Sequence, residues 1–227
     1  MWLIMKNYLE RQRELFDKDQ RQKLSQLNVM IAGAGGLGTN QAIQLQRIGI
    51  NKIYLYDYDK VELSNLNRQL CYGKNDIGRF KVEAAADFLA EFELDTKIII
   101  KKEKISLLTE VPSDIDIIFD GLDNFETRFI VDQLAKNYNI PFIHAGIEEF
   151  FAQIMLILPD SRQRLKDVFE SGAKEVIPTV FSPAVTITAS LQIIEALKYL
   201  LDFDDYLENQ MLYFDFLNRE SELIELA

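Results

Sequence analysis

A short apolar run, Val29-Met30-Ile31-Ala32, breaks into Gly33-Ala34-Gly35-Gly36-Leu37-Gly38, and residues Leu37 to Ile48 then take helical spacing. This order of strand, glycine loop and helix restricts the fold more than any other feature of the chain. A continuous apolar run bounded by turn residues reads as a buried parallel strand. A G-x-G-x-x-G sequence placed here permits a tight turn, lets main chain approach a phosphate, and lets helix touch strand. The unpaired N–H groups at the helix start favour an anion. Gly33, Gly35, Gly36 and Gly38 are therefore candidate nucleotide-binding positions. Asp57 follows the next apolar run, Lys52 to Tyr56, about 20 residues past the loop, where an acid typically holds a ribose hydroxyl.

The rhythm continues downstream. Lys81 to Glu91 has helical spacing; Lys97 to Lys101 and Ile115 to Phe119 read as strands three and four, with a short helical connector between them. Asn124 to Asn137 is an amphipathic helix and Pro141 to Ala145 a fifth strand. The pattern predicts an α/β fold: a Rossmann-like, mostly parallel sheet with helices on both faces. Gln153 to Leu158, Met211 to Phe216 and Glu222 to Leu226 extend it with antiparallel C-terminal strands, the last two a hairpin turning at Asn218. Pro183 to Leu201 is a long apolar helix. Residues 7 to 27 form a helical arm, and Asp160 to Thr179, charged and without period, reads as a mobile crossover loop. One domain over residues 1–227 is expected.

Composition narrows the partners. A net charge of −11 argues against nonspecific nucleic-acid binding, which needs a basic face. No apolar run reaches the roughly 18 to 20 residues of a membrane span, and Met1 to Lys6 is too short for a signal peptide. One cysteine and one histidine leave no ligand set for structural zinc, and a lone reduced thiol suits a cytoplasmic protein.

Further polar residues follow strands whose C-terminal ends converge in this fold. They are Asn65 and Arg68 in S-N-L-N-R-Q, Lys81 in I-G-R-F-K, and Asp123 with Asn124 in G-L-D-N-F-E-T-R. A dehydrogenase needs an open nicotinamide slot and seldom this many cations beside the phosphates. An ATP-cleaving site does need them. A carboxylate nucleophile is already ionised at neutral pH, so its difficulty is approaching a polyanion. Cations and a metal relieve that by neutralisation and positioning. Arg68 and Lys81 suit the phosphates, and Asp123 suits Mg²⁺, which prefers oxygen ligands and retained water.

The motifs G-A-G-G-L-G, D-Y-D-x-V-E-L-S-N-L-N-R-Q, D-I-G-R-x-K-V-E-A-A and D-N-F-E-T-R resemble, in order and spacing, those of the ubiquitin-activating-enzyme-like superfamily of the ThiF and MoeB type. The resemblance runs from about Tyr8 to the C-terminus. It implies a homodimer that adenylylates a carboxylate, giving an acyl-AMP and pyrophosphate. It also implies that Asp57 binds ribose, that Asn65, Arg68 and Lys81 bind phosphates, and that Asp123 assists Mg²⁺ with Asn124 among the nucleotide-binding positions. Arg11 resembles the family's arginine that reaches the partner subunit's ATP site, with Arg13 a near competitor.

The chain also departs from the family. It has no cysteine after Cys71, so neither the two Cys-x-x-Cys zinc pairs nor a reactive crossover cysteine is present. Cys71 itself reads as a small buried residue. His144 ends strand five where relatives carry a small residue facing the acyl substrate; a packed core histidine and a substrate contact are both open readings. Glu148, Glu149, Phe150 and Phe151 replace a small, glycine-containing stretch and would form an aromatic wall. These departures point to a small-molecule acid, with the acyl group passed to another protein bearing the thiol. In its short length and missing cysteines the chain resembles the ThiF-like enzymes of iron-hydrogenase cofactor assembly, and that resemblance implies a guanylylpyridinol precursor as the acid. Adenylylation of the Gly-Gly terminus of a ubiquitin-like sulfur carrier is the alternative. A noncatalytic nucleotide-binding partner subunit is a third reading, and an NAD-dependent oxidoreductase a distant fourth.

Overall fold

Side chains alternate across a strand, so a strand buried on both faces must be apolar throughout. In the computed structural model, which describes residues 8–169 and 179–226, β1 (Asn28–Ala32) does this: Val29 and Ile31 enter one core, Met30 and Ala32 the other. The first core is covered by α1 (Lys18–Leu24), α2 (Gly36–Ile48), α3 (Lys81–Ala90) and α6 (Ser182–Leu200). The second is covered by α4 (Phe125–Asn137), α5 (Leu165–Phe169) and the segment carrying Ile105, Val111 and Ile115. Among the described residues no helix is long and apolar enough to cross a membrane.

Eight strands form one sheet in the order β3-β2-β1-β4-β5-β6-β7-β8. Here β2 is Lys52–Tyr56, β3 Lys97–Lys101, β4 Ile117–Asp120, β5 Phe142–Glu148, β6 Phe151–Ile157, β7 Gln210–Asp215 and β8 Glu220–Glu225. The first five pair in parallel and the last three antiparallel, as the sequence pattern predicts. Connections leave β1 toward β2 and β3, whereas β4 and β5 lie on its other side. The switch point between β1 and β4 opens a crevice at their C-terminal ends, the usual ligand position in such sheets.

Three expectations change. No helix joins β3 to β4. The Thr109 hydroxyl accepts from Ser106 N–H, the Ser106 hydroxyl from Leu108 N–H, and these turns compete with helix. The segment from Asp160 is not loop throughout, since α5 docks there by burying Leu165 while Arg164 pairs with Asp132; residues 170–178 of that expectation lie outside the described residues. The fifth strand runs on to Glu148, because a two-residue hairpin through Glu149 (φ 53°) and Phe150 turns it into β6.

Register builds one polar cluster into the second core. β4 and β5 pair Ile118 with Phe142, so Asp120 and His144 fall side by side on the same face; both are fully buried. His144 Nδ1 lies 2.6 Å from Asp120 Oδ2, and Arg128 of α4 reaches the same oxygen with Nε at 3.0 Å. Burial alone would push Asp120 up, but Arg128 and the His144 bond outweigh it and hold the carboxyl below its ordinary range. An ionised carboxylate only accepts, so His144 donates through Nδ1–H. Burial holds His144 below its ordinary value despite Asp120, so it is the neutral ring.

Two outcomes follow from this packing. A Cβ on Gly38 would sit 1.8 Å from the Gly33 carbonyl oxygen. Gly38→Ala should therefore cost at least about 3 kcal/mol in urea unfolding, since the clashing atom is main chain. The second outcome concerns pH. The unfolded chain's histidine, with an ordinary value of 6.5, takes its proton before folded His144 does. Stability is thus full above 6.5 and declines as pH falls from there toward the folded value. Asp120, held below 3.8, adds stability above that value that is lost as pH falls through its folded pKa. Circular-dichroism melts should show both declines, and His144→Asn should flatten only the first.

Candidate active site

The crevice begins where β1 ends. Gly33 adopts φ 99°, and a Cβ there would meet Gly121 O at 2.6 Å. Gly33 N–H donates to Tyr56 O and Gly121 N–H to Ala32 O, both at 2.8 Å, which fixes the loop between β2 and β4. Gly35 occupies the N-cap of α2 with no side chain to cap it. The first-turn N–H groups therefore face the crevice without a side-chain acceptor, and the helix dipole favours an anion there.

The structure brings Gly33, Gly35, Gly36, Asp57, Arg68, Lys81, Asp123 and Asn124 to the walls of one cleft. Asp57 Oδ2 accepts from Ala34 N–H at 2.8 Å and Oδ1 from Asp59 N–H at 2.7 Å, which aims the carboxylate beside the glycine loop. Burial pushes its carboxyl up, against the pull of Lys81 and those two donors. Lys81, the first residue of α3, is buried, and its Nζ donates to Asp59 Oδ2 at 3.0 Å. The Arg68 guanidinium donates to Ser64 O at 3.1 Å and Asn67 Oδ1 at 2.8 Å. Asp123 is exposed on the rim and accepts from Asn124 Nδ2 at 3.3 Å, while Asn124 Oδ1 caps α4 by accepting from Thr127 N–H.

Four predicted positions lie outside the cleft walls. Gly38 packs under the loop, the helix-to-strand contact already noted. Asn65 is buried and its Oδ1 accepts from Glu62 N–H at 3.0 Å, which shapes the 3-10 turn Leu63–Asn65. His144 does not face the acyl position, because its ring is enclosed between Phe125 and Phe169 and bonded to Asp120. Arg11 is exposed on the 3-10 turn Glu10–Leu15, which is tied to the far end of α2 by Gln12 Nε2 donating to Ile48 O. A helix of that length spans about 18 Å, so Arg11 stands well away from its own chain's cleft. Arg13, the competitor, pairs with Glu10.

Phe150 and Phe151 do not wall the cleft either. They stack on Phe181 and Tyr213 at the hairpin, and Ile147 and Val180 line the cleft in their place. Burial pushes the Cys71 thiol up to about 12, which keeps it protonated at neutral pH. Sequence reasoning missed Asp59, Gln69 and Arg128, all on the cleft wall. Each sits inside a quoted motif, yet only the fold shows which motif residues turn inward.

The donor set fits Mg²⁺ better than a fully caged metal. Among the described residues no group of three histidine, cysteine, aspartate or glutamate residues could hold an ion. Mg²⁺ typically takes one or two carboxylates plus phosphates and water, and Asp123 supplies a carboxylate at the rim.

The chain is similar to known proteins. Haloferax volcanii SAMP-activating enzyme E1 is 29% identical over 209 residues, covering 89% of this chain and 77% of that one. The Bacillus subtilis sulfur carrier protein ThiS adenylyltransferase is 32% identical over 188 residues, covering 79% of this chain but only 56% of its own. Among solved structures, PaaA superimposes with a TM-score of 0.79 at 26% identity, covering 96% of this chain and 72% of that one. Escherichia coli MccB with ATP gives 0.80 at 23% identity, covering 92% and 65%, and shares the fold. The ThiF family model matches residues 9–227, nearly the whole chain, and the chain belongs to the ThiF family.

Proposed function

We propose that this chain adenylylates a carboxylate, converting R–COO⁻ and ATP into R–CO–AMP and pyrophosphate. The observation that carries this reading is the convergence of Arg68, Lys81 and Asp123 on a cleft floored by an uncapped helix N-terminus, with Asp57 beside it. Asp57 suits the ribose hydroxyls, and the α2 N-terminus with Arg68 and Lys81 suits the phosphates. Lys81 exchanges its Asp59 partner for phosphate when nucleotide enters. The carboxylate oxygen attacks the α-phosphorus, and the bond to the pyrophosphate oxygen breaks with its electron pair leaving on pyrophosphate. No proton moves, so no general base is required. Asp123 would hold Mg²⁺, which when bound supplies further neutralisation of the phosphates.

The acid is best read as the C-terminal carboxylate of a small carrier protein or peptide. The relatives named above include one for SAMP activation and one for a sulfur carrier, and MccB has been crystallised with MccA. This displaces the small-molecule acid as the first reading, the more so because the expected aromatic wall lies away from the cleft. A small acid such as a pyridinol carboxylate stays second, on the single ground that no cysteine follows Cys71 to take the acyl group within this chain. Homodimerisation with Arg11 donated to the partner's cleft belongs to the same proposal, and its exposed place at the far end of α2 is compatible with reaching outward.

ATP–pyrophosphate exchange tests the reading. Exchange should depend on a Gly-Gly-terminated carrier; exchange with a pyridinol acid alone would reverse the substrate assignment. Failure to exchange with any acid, alongside tight ATP binding, would favour a noncatalytic partner subunit. Asp123→Ala should lose at least about 100-fold in exchange while still binding ATP, the scale of removing one preorganised charge contact. Mixing Arg11→Ala with Asp123→Ala protein should restore part of the activity by forming one intact site per mixed dimer. Absence of rescue in confirmed mixed dimers would remove Arg11 from the site.

A further inference from the structure

We infer that His144 is a positioning residue for the cleft, acting through Asp120 and Arg128 to fix the Leu122–Asp123 turn that carries the rim carboxylate. The inference rests on the adenylylation reading for its consequence but on the buried cluster for its geometry.

Leu122 is held at both of its backbone polar groups by this cluster. Its N–H donates to Asp120 Oδ1 at 2.9 Å, and its carbonyl accepts from Arg128 Nη2 at 2.7 Å. Asp120 and Arg128 are in turn ion-paired at Asp120 Oδ2, which Nε approaches to 3.0 Å without hydrogen-bond geometry and which His144 Nδ1 also contacts at 2.6 Å. Arg128 spans onward to Ala145 O at 3.1 Å, tying the turn to β5. Asp123 follows Leu122 directly, and its own side chain, exposed on the rim, has among the described residues only the long Asn124 contact to steady it. The direction of the Asp123 carboxylate is therefore set by the main chain before it, and that main chain is set by the cluster.

His144 is the member that fixes the carboxylate from behind. Without its N–H, Asp120 would keep Arg128 on Oδ2 but lose the contact that stops the carboxylate from rotating toward that arginine. The ring's other nitrogen, Nε2, is buried with no partner among the described residues, and the ring lies near Phe125 and Phe169 at 6.4 and 5.5 Å between centroids. Its polar function in the fold is thus concentrated in the single bond to Asp120. An apolar residue would fill the same space between the phenylalanines and satisfy Nε2's absence of partners better. Packing alone does not account for an imidazole here.

The test uses the full chain and two readouts, calorimetric ATP binding with and without Mg²⁺, and ATP–pyrophosphate exchange. His144→Leu keeps the bulk and removes the donor. It should lower exchange turnover and the Mg²⁺-dependent gain in ATP affinity by about 10- to 100-fold, the scale of losing a supporting hydrogen bond behind a ligand. ATP affinity without metal should stay within about threefold, because Arg68, Lys81 and the α2 N-terminus are untouched. His144→Asn, whose Nδ2 falls near the place of the imidazole Nδ1, should restore most of both losses. Equal losses in His144→Asn and His144→Leu, or a native Mg²⁺ response in folded His144→Leu, would overturn the inference. Should His144→Leu fail to fold, Arg128→Lys, which keeps charge but cannot hold Asp120 and Leu122 together, must show the same selective loss of the Mg²⁺ response. A native response there overturns it equally. Failure of the wild-type protein to exchange with any acid would sink the adenylylation reading alone, while wild-type ATP affinity indifferent to Mg²⁺ would sink this one.

Discussion

Three main-chain segments meet behind the cleft with no room for a side chain between them. The carbonyl of Gly33 lies where a Cβ on Gly38 or on Gly121 would fall, at 1.8 and 2.7 Å, and the Gly121 carbonyl blocks a Cβ on Gly33 at 2.6 Å. β1, the start of α2 and the end of β4 are thereby drawn together at the switch point of the sheet. Because the contact is backbone on backbone, neighbouring rotamers cannot relieve it. The helix N-terminus, the Asp57 carboxylate after β2 and the Asp123 carboxylate after β4 inherit their spacing from this one junction. A cleft able to accept a polyphosphate follows from close packing of glycine, before any charged side chain is considered.

The charged side chains then answer a problem posed by the rest of the molecule. A chain of net charge −11 repels a nucleotide at long range, so its attraction must be local. Lys81 is buried and stored against Asp59, whose side chain is half exposed, and Arg68 rests on a carbonyl and an amide. Neither cation is committed to a buried carboxylate that would compete strongly with phosphate. Asp57 differs: both oxygens accept main-chain N–H groups, which fixes its direction and leaves further lone pairs for hydroxyl donors. The cleft thus pairs a rigid acid with two cations whose present partners are weak enough to be exchanged.

Much of this was legible in the chain. The strand, glycine loop and helix are local signals, as are the apolar runs of β2 and β4, and the parallel order follows from their alternation with helices. Arg68, Lys81, Asp57 and Asp123 were found because their motifs fall at strand ends. What escaped depends on contacts remote in sequence. His144 reads equally as ligand or core until the register of β4 against β5 puts it beside Asp120. α5 escaped because its anchor is Arg164 on Asp132, a pairing across 32 positions that no periodicity announces. The arm escaped in part: its helical character is local, but its seat at the far end of α2 comes from Gln12 on Ile48.

The buried cluster also bears on why a core should hold charge at all. Taking Asp120 and Arg128 out of water is costly, and well-packed apolar residues in their place would often be neutral or stabilising. Such residues would leave the Leu122 N–H and carbonyl without partners, because those groups face inward beside the cleft where no strand continues to receive them. β4 ends at Asp120, and α4 does not begin until Phe125. A turn this short between a central strand and a helix cannot satisfy its own backbone. It needs an acceptor and a donor at fixed positions, and one carboxylate with one guanidinium supply both. The carboxylate then needs support on its remaining face, which is where the only histidine stands. Stability is thus exchanged for a defined direction of the turn, at the point in the sheet where the proposed function needs the rim carboxylate of Asp123 held in place.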